Sequence, residues 1–167
     1  MDQTKLLDLS FLQANTEGSK ELAQLADKIW RQHFTPIIGP EQVNYMLKNF
    51  QSAQAIKNFI INGYEYFFII KNETAVGYLA IQNRSDHLHL SKFYILENHR
   101  GKGIGRKALA FIIQKAKDFQ LNSIRLVVNK DNQDTIDIYK KFGFKIIGSP
   151  VTDIGGGFVM DDYEFEI

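Results

Sequence analysis

The feature that most constrains the fold is a run of alternating glycines, Gly101, Gly103 and Gly105, in the stretch HRGKGIGRK at positions 99–107. It follows an apolar run, Leu88–Leu96, and begins an amphipathic segment that continues to about Phe119. Glycine lacks a Cβ, so it tolerates positive φ and lets a ligand approach the backbone. The first turn of a helix also has free N–H groups and the positive end of the helix dipole. We therefore predict a strand-to-helix junction that holds a diphosphate. The alternative is a glycine-rich turn flanked by solubilising cations.

The spacing of these glycines excludes three common nucleotide-binding motifs. A P-loop requires GxxxxGK followed by Ser or Thr, and the sequence contains no such run. A dinucleotide fingerprint requires GxGxxG and an acidic residue after the next strand, whereas this chain has GxGxG and then Asn129-Lys130. A kinase glycine loop would need HRD and DFG motifs, which are absent. The remaining pattern is Arg-x-x-Gly-x-Gly at positions 100–105.

Hydrophobic periodicity and turn residues predict alternating helices and strands around this junction. Strands are expected at Lys5–Phe11, Glu65–Lys71, Ala75–Gln82, Leu88–Leu96, Ser123–Val128, Phe144–Ile147 and Phe158–Phe165. Helices are expected at Ser19–Phe34, from Pro40, and at Ser52–Ile61, Gly103–Asp118 and Asn132–Phe142. The two prolines of Thr35–Pro40 predict a loop there. The strands from 65 to 96 are expected to form an antiparallel meander whose first hairpin turn is Lys71–Thr74, and a strand–helix–strand unit follows it.

Charge balance and cysteine content limit the chemistry. The 167 residues fit one domain, and 20 basic against 19 acidic side chains argue against general nucleic-acid binding. There is no cysteine, which excludes disulfides, cysteine metal sites and a cysteine acyl-enzyme, and we expect no metal. No apolar run approaches the ~20 residues that span a bilayer. The N-terminus lacks a signal-peptide pattern. We therefore expect a cytoplasmic protein without a membrane or nucleic-acid partner.

Two motifs together resemble the GNAT superfamily of acetyltransferases. The central motif of that family, Gln/Arg-x-x-Gly-x-Gly/Ala at a strand-to-helix junction, is matched by Arg100, Gly103 and Gly105. A second family pattern has Asn-x-x-Ala, then a tyrosine and a closing Gly-Phe. It is matched by NQDTIDIYKKFGF at positions 132–144, with Thr135 in place of alanine. The resemblance covers roughly residues 65 to 150.

The resemblance implies a single α/β domain over residues 1–167. Its central sheet would be mixed but mostly antiparallel, with about six to seven strands flanked by helices and splayed apart at the acetyl-CoA site. Residues 1–63 would form a strand and a helical region on the acceptor side. Residues 64–150 would bind acetyl-CoA, and residues 151–167 would add a C-terminal strand.

Acetyl-CoA is the cosubstrate that the resemblance implies. Backbone N–H groups of the glycine stretch would hold its diphosphate, and main-chain groups of the preceding strand would pair with its pantetheine arm. Asn132 is expected to cap a helix, to contact the cofactor, or to do both. The expected cofactor-binding residues are Phe93, Tyr94, Ile95, Arg100, Gly101, Lys102, Gly103, Ile104, Gly105, Arg106 and Asn132.

Transfer to an amine requires a general acid, an oxyanion donor and a base. Tyr139 occupies the family position of the acid that protonates the leaving thiolate, although it shares a helix face with Ile136 and Phe142 and could belong to the core. A backbone N–H of the 93–95 strand is the expected oxyanion donor. Because no cysteine is present, we expect direct attack in a ternary complex.

The general base stays open at this point. Many relatives have a glutamate where this chain has Ser91, and serine needs an activator to act as a base. His89, which shares the strand face of Ser91 by alternation, has a suitable ordinary pKa, and Glu97 lies at the strand end. An ordered water chain is a further option, as is a non-catalytic acyl-CoA-binding module that has lost its base.

Acceptor specificity is expected to come from the N-terminal third. Trp30, His33, Phe34 and Tyr45 would form one wall of the pocket, and the loop 155–157 a second. A helical insertion before the meander resembles relatives that acetylate polyamines or other small amines, and a polyamine would need acidic side chains such as Glu41, Asp153 or Asp161. A protein N-terminus or lysine is the alternative acceptor. Relatives are monomers or homodimers, so either state is expected.

Overall fold

One mixed sheet of eight strands runs through residues 8–167, the part of the chain that the computed structural model describes. The strands are β1 (Leu9–Ala14), β2 (Glu65–Lys71), β3 (Thr74–Asn83), β4 (Leu88–Ile95), β5 (Ile124–Asn129), β6 (Lys145–Gly148), β7 (Val151–Gly155) and β8 (Phe158–Glu166). Their order is β1-β2-β3-β4-β5-β8-β6, and β7 pairs with β8. Among the pairs that these described strands form, only β4–β5 is parallel. The predicted mixed, mostly antiparallel sheet is confirmed, with one strand more than expected.

Six α-helices of the described residues flank the sheet. They are α1 (Ser19–His33), the single turn α2 (Thr35–Ile38), α3 (Pro40–Phe50), α4 (Ala53–Ile61), α5 (Ile104–Asp118) and α6 (Gln133–Lys141). Helices α5 and α6 cover one face, where Ile104, Ile112 and Ile136 are buried in the first core cluster. Helices α1, α3 and α4 cover the other face, where Leu22, Val43 and Ile56 belong to a second cluster. The apolar stripes read from the sequence therefore bury against opposite faces of one sheet.

Several local predictions need correction. The segment 35–38 forms a helical turn and not a loop, because Pro36 lies in its first turn, where no intrahelical N–H partner is required. The strand β7 was missed, since its short, exposed sequence has no apolar alternation. The first strand is observed at Leu9–Ala14, and positions 5–7 of the predicted one lie outside the described residues. The turn 71–74 of the predicted hairpin is confirmed, with Asn72 and Glu73 at positive φ.

The parallel pair β4–β5 separates soon after it begins. The two strands are paired only at Leu88 with Ile124 and at His89 with Arg125. On its other edge, β4 stays paired with β3 up to Ile95, apart from a bulge in register near Ala80. The second half of β4 therefore has a free edge facing a gap, which confirms the predicted splay. Backbone groups on such an edge are available to pair with another molecule.

Candidate active site

The gap between β4 and β5 opens into a cleft of about 950 Å³. Its walls are the end of β4, the glycine stretch with the start of α5, most of α6, and the junction of α1 with α2. The residues in this lining are Gln32, His33, Phe34, Pro36, Ile37, Phe93, Tyr94, Ile95, Glu97, His99, Arg100, Gly101, Gly103, Gly105, Arg106, Asp131, Asn132, Gln133, Asp134, Thr135, Ile138, Tyr139, Lys141 and Phe142. Most of the residues predicted from the two motifs thus meet around one cavity.

The glycine stretch leaves open space beside its backbone. Gly101 and Gly103 have φ of 72° and 82°, and no atom lies within 4 Å of where a Cβ would stand on either residue. Gly103 is the N-cap of α5, and no side chain caps that helix end. The first-turn N–H groups of α5 are thus directed at an open, positively polarised surface. A diphosphate fits this arrangement.

A histidine connects the helical side of the cleft to both motifs. The Arg100 guanidinium donates to Nδ1 of His33 over 3.1 Å, and Nε2 of His33 lies 3.2 Å from Oδ1 of Asn132. Because arginine can only donate, Nδ1 is the accepting nitrogen and the proton lies on Nε2. Burial and the Arg100 charge lower the pKa of His33, which keeps this neutral form. Arg100 also donates through Nε to the Ile95 carbonyl at 2.9 Å.

Two tyrosines lie near the point where the strands diverge. Tyr139 is buried except at the cleft, and its ring packs against Phe144 at 5.3 Å and Phe165 at 6.1 Å between centroids. Burial raises the pKa of Tyr139, so its hydroxyl keeps its proton. Burial, then the Tyr139 hydroxyl and the Asp162 carboxylate raise the pKa of Tyr94. Tyr139 therefore belongs to the core and also lines the cleft, because its ring packs against core residues while the residue still forms part of the cavity wall.

Other predicted cofactor and acceptor residues lie outside the cleft lining. Ile104 is buried in the first core cluster, and Lys102 is exposed beside the glycines. Trp30 is buried behind the wall and stacks on Phe34 at 4.2 Å between centroids. Tyr45 donates to the Ile154 carbonyl and packs against Gly155 and Gly156, which explains why the 155–157 loop lies against α3.

The base candidates of β4 also lie outside the lining. Burial, followed by the charges of Arg84, Lys92 and His87, lowers the pKa of His89 to about 4. The Ser91 hydroxyl is 3.2 Å from Nζ of Lys92, a lysine whose own pKa burial lowers to about 8. Glu97 does line the cleft, at the glycine end beside Arg100. The splay thus brings neither His89 nor Ser91 to the cavity.

Sequence reasoning missed part of the wall. Pro36 and Ile37 of α2 line the cleft, and the available signal was that this supposed loop is unusually apolar.

Of the acidic candidates, Asp161 pairs with Lys130 at 2.8 Å with its side chain 54% exposed. The Asp153 carboxylate accepts the Gly155 N–H. Neither they nor Glu41 line the cleft.

The sequence profile of the acetyltransferase (GNAT) family matches residues 22–144, most of this chain. The chain belongs to that family. The resemblance inferred from the two motifs is confirmed, and the match extends through α1, α3 and α4, beyond the segment that the motifs cover.

Among curated GNAT relatives, a spermine/spermidine N(1)-acetyltransferase of Bacillus subtilis is 34% identical over 79 residues, which are 47% of this chain and 51% of that protein. A peptidyl-lysine N-acetyltransferase of Escherichia coli is 26% identical over 60% of this chain and 63% of its own length. The chain spans about half to two thirds of the length of these relatives. Their acceptors differ, so similarity alone does not choose one.

A solved structure shares the whole fold. The PaiA N-acetyltransferase of Thermoplasma acidophilum, determined in complex with coenzyme A, superposes with a TM-score of 0.80 over 96% of this chain and 98% of that one, at 19% identity.

Within residues 8–167, no group of three or more His, Asp or Glu side chains is arranged to hold a metal ion. Among the described helices, none combines the length and apolarity that crossing a bilayer requires.

Proposed function

We propose that this GNAT protein transfers an acetyl group from acetyl-CoA to a primary amine, and that its acceptor is a small amine such as a polyamine. The observation that carries the proposal is the cleft itself. It has an uncapped helix N-terminus at one end and an aromatic wall at the other, joined along the free edge of β4. The glycine stretch suits a diphosphate, and the free edge suits an extended amide-containing arm.

The aromatic wall supports a cationic acceptor. Phe34 and Tyr94 both line the cleft, with ring centroids 6.0 Å apart and planes at 88°. Aromatic faces attract ammonium groups by roughly 0.5–2 kcal/mol, more when water is excluded. The turn α2 adds the apolar side chains of Pro36 and Ile37 to this side. Apolar side chains beside aromatic rings suit the methylene segments of a polyamine.

In the proposed reaction, the acceptor nitrogen attacks the thioester carbonyl directly. A backbone N–H in the segment 93–95 would stabilise the developing oxyanion, and Tyr139 would give a proton to the leaving sulfur. Gly101, Gly103 and the first turn of α5 would hold the diphosphate. The acceptor amine must first lose a proton, because an ammonium with a pKa of about 10.4 has no lone pair.

A panel of amines tests the proposal. Release of free CoA from acetyl-CoA would be measured with spermidine, spermine and putrescine, with a lysine-containing peptide blocked at its N-terminus, and with a peptide whose only amine is its N-terminus. We expect saturable acceleration by the polyamines and little by the peptides. If only a peptide accelerated CoA release, the proposed function would instead be acetylation of proteins. If CoA binds but no amine accelerates release up to about pH 9, the non-catalytic interpretation is correct.

A further inference from the structure

A histidine at the end of α1 holds the arginine of the glycine motif in place. The Arg100 guanidinium donates through Nε to the Ile95 carbonyl at 2.9 Å and through Nη1 to Nδ1 of His33 at 3.1 Å. The two acceptors belong to β4 and α1, and all three residues line the cleft. A free arginine side chain loses much conformational entropy when it binds a ligand. Two hydrogen bonds on one guanidinium restrict that freedom before a ligand binds.

Both acceptors of Arg100 are uncharged. The first is a backbone carbonyl, and the second is the imidazole of His33, whose proton lies on Nε2. The carboxylates of residues 8–167 form no ion pair with Arg100. A paired carboxylate would orient the guanidinium and at the same time cancel much of its field. A neutral acceptor orients the guanidinium and leaves its positive charge available to an anion.

Asn132 fixes the form of the His33 ring that can accept this bond. Its Oδ1 lies 3.2 Å from Nε2 of His33, and the residue is only 5% exposed. An asparagine at a helix N-cap usually accepts an N–H of the first turn. Asn132 is the N-cap of α6, yet its side chain makes no such bond. Its carboxamide oxygen bonds to His33 instead, which keeps the proton on Nε2 and leaves Nδ1 to accept from Arg100.

The position of Arg100 indicates which ligand would use its charge. Arg100 directly precedes Gly101, and both residues line the cleft together with Gly103. This is the backbone on which the proposed function places the diphosphate of acetyl-CoA. A guanidinium forms strong, directional hydrogen bonds with phosphate oxygens. An oriented guanidinium that keeps its charge is therefore the form that suits a diphosphate there.

We infer that His33 is a positioning residue for the cofactor: its neutral imidazole orients the Arg100 guanidinium toward the diphosphate of acetyl-CoA without neutralising it. This inference rests on the diphosphate position given under the proposed function and on no property of the acceptor. Sequence reasoning assigned His33 to the acceptor wall, because only the fold brings the end of α1 against the glycine motif.

The groups around His33 keep its ring neutral at physiological pH. Burial and then the Arg100 charge lower the pKa of His33. The hydrogen bond to Asn132, the charge of Asp134 on α6 and the charge of Glu97 after β4 raise this pKa, but they do not offset the lowering. A protonated imidazole would have no acceptor for the guanidinium and would repel it. At pH 7.5 the ring therefore remains the acceptor that the inference requires.

Replacing His33 with Asn and with Asp tests the inference. Both side chains place an oxygen close to the position of Nδ1 and have the same size, but only aspartate is negatively charged. At pH 7.5 and low salt, we expect His33→Asn to weaken CoA binding by less than about threefold. His33→Asp should bind CoA at least about 10-fold more weakly than His33→Asn, because its charge opposes that of Arg100. Calorimetric titration measures both, and equal affinities of the two variants would overturn the inference.

Gln24→Glu is the matched control for charge alone. Gln24 is exposed on α1 and outside the cleft lining, so the change adds one negative charge to the same helix away from Arg100. We expect the Kd for CoA to stay within about twofold of the wild type, because solvent and salt screen an exposed charge. Thermal unfolding checks that every variant is folded during the titration. A loss of affinity as large as that of His33→Asp would overturn the inference, since contact with Arg100 would then be irrelevant.

Fragments of CoA supply a readout that a structural role would not change. Dephospho-CoA retains the diphosphate and lacks the 3′-phosphate, whereas pantetheine retains the arm and has no phosphate. The difference between the Asn and Asp variants of His33 should persist with dephospho-CoA and should decrease as salt is added. Pantetheine, titrated at millimolar concentration and followed by NMR, should bind both variants equally. A difference that persisted with pantetheine would overturn the inference.

Arg100→Gln distinguishes a failure of this inference from a failure of the proposed function. If Arg100→Gln weakens CoA binding by about 10-fold or more and His33→Asp does not, the role of His33 is wrong. If neither change affects CoA affinity, the diphosphate does not lie at this position, and the inference is wrong with it. These titrations need no acceptor. A protein that binds CoA as expected but acetylates no amine would therefore contradict the proposed function alone.

Discussion

The two ends of the cleft present different kinds of groups to a ligand. At the glycine end, backbone N–H groups of consecutive residues face open space, and Gly101 and Gly103 at positive φ make that possible. At the end where the acceptor is proposed to bind, the side chains of Phe34 and Tyr94 come from two segments far apart in the chain. A contiguous backbone site requires a local sequence pattern, and an assembled side-chain site does not. The first end is therefore conspicuous in the sequence and the second is not.

His33 joins the two ends. It comes from the last turn of α1, yet its ring lies between Arg100 of the glycine motif and Asn132 of the second motif. Phe34, the next residue, contributes to the aromatic wall. A ligand bound at the glycine end can therefore influence how α1 is held. Substitutions at each end and at His33 distinguish a local effect from one transmitted through His33.

Tyr139→Phe should produce the largest effect. We expect kcat to fall by about 100-fold, because the leaving sulfur loses its proton donor, and the Kd for CoA to stay nearly unchanged. The control is Tyr66→Phe, since Tyr66 is fully buried in the other core and its hydroxyl has no partner within residues 8–167. Steady-state kinetics and calorimetric binding of CoA check both. Parallel losses of kcat and CoA affinity in Tyr139→Phe would mean that the ring matters only for packing.

Gly103→Val should affect the glycine end alone. A valine at φ of 82° is strained, and its side chain would fill the space beside the backbone. We expect the Kd for CoA to increase by at least about 10-fold, a loss of 1.4 kcal/mol or more. Gly63→Val is the matched control, since Gly63 follows α4 at φ of 95°, also with open space beside it, and lies outside the cleft lining.

These two glycine variants carry the same kind of backbone strain, so both should lower the Tm. Of the two, only Gly103→Val should weaken CoA binding. Equal CoA affinities for Gly103→Val and the wild-type protein would show that the diphosphate does not approach this backbone.

His33→Gln should give the smallest effect, because it removes the hydrogen bonds that link the two ends and leaves the groups proposed to bind ligand at each end in place. Losing two hydrogen bonds of about 1 kcal/mol each, partly replaced by the new amide, should weaken CoA binding by about fivefold. His87→Gln, a change on the surface turn before β4, should have no effect. Calorimetric titrations with CoA measure both. An unchanged CoA affinity would show that the ends of the cleft act independently.

The His33 connection should also depend on pH. Because the folded state lowers the pKa of His33 below its usual 6.5, its stabilising contribution is complete above about pH 6.5 and is lost as pH falls toward the lowered value. Protonation of Nδ1 would remove the acceptor for Arg100. CoA affinity of the wild-type protein should therefore decline below pH 6.5 more steeply than that of His33→Gln, as measured by titrations from pH 5 to 8.

The amphipathic stripes and turn residues predicted most of the fold. The buried faces of α1 and α5, the turn at Asn72 and the strands of the meander were all expected, because their periodicity is local. The turn α2 was mistaken for a loop because Pro36 is compatible with both structures. Tertiary packing settled that choice, since Ile37 and Ile38 pack against the second core cluster, under α1, α3 and α4.

The sequence alone determined the glycine stretch at the start of α5 and the family, since glycine spacing and the start of a helix are properties of neighbouring residues. Only the tertiary structure decided which side chains are buried and which of them meet at the cleft. The register of β8 against β5 buries Asp162 and exposes Asp161, and the end of α1 brings His33 to both motifs. Burial and long-range contact depend on how distant segments pack, and two adjacent aspartates carry no local mark that tells them apart.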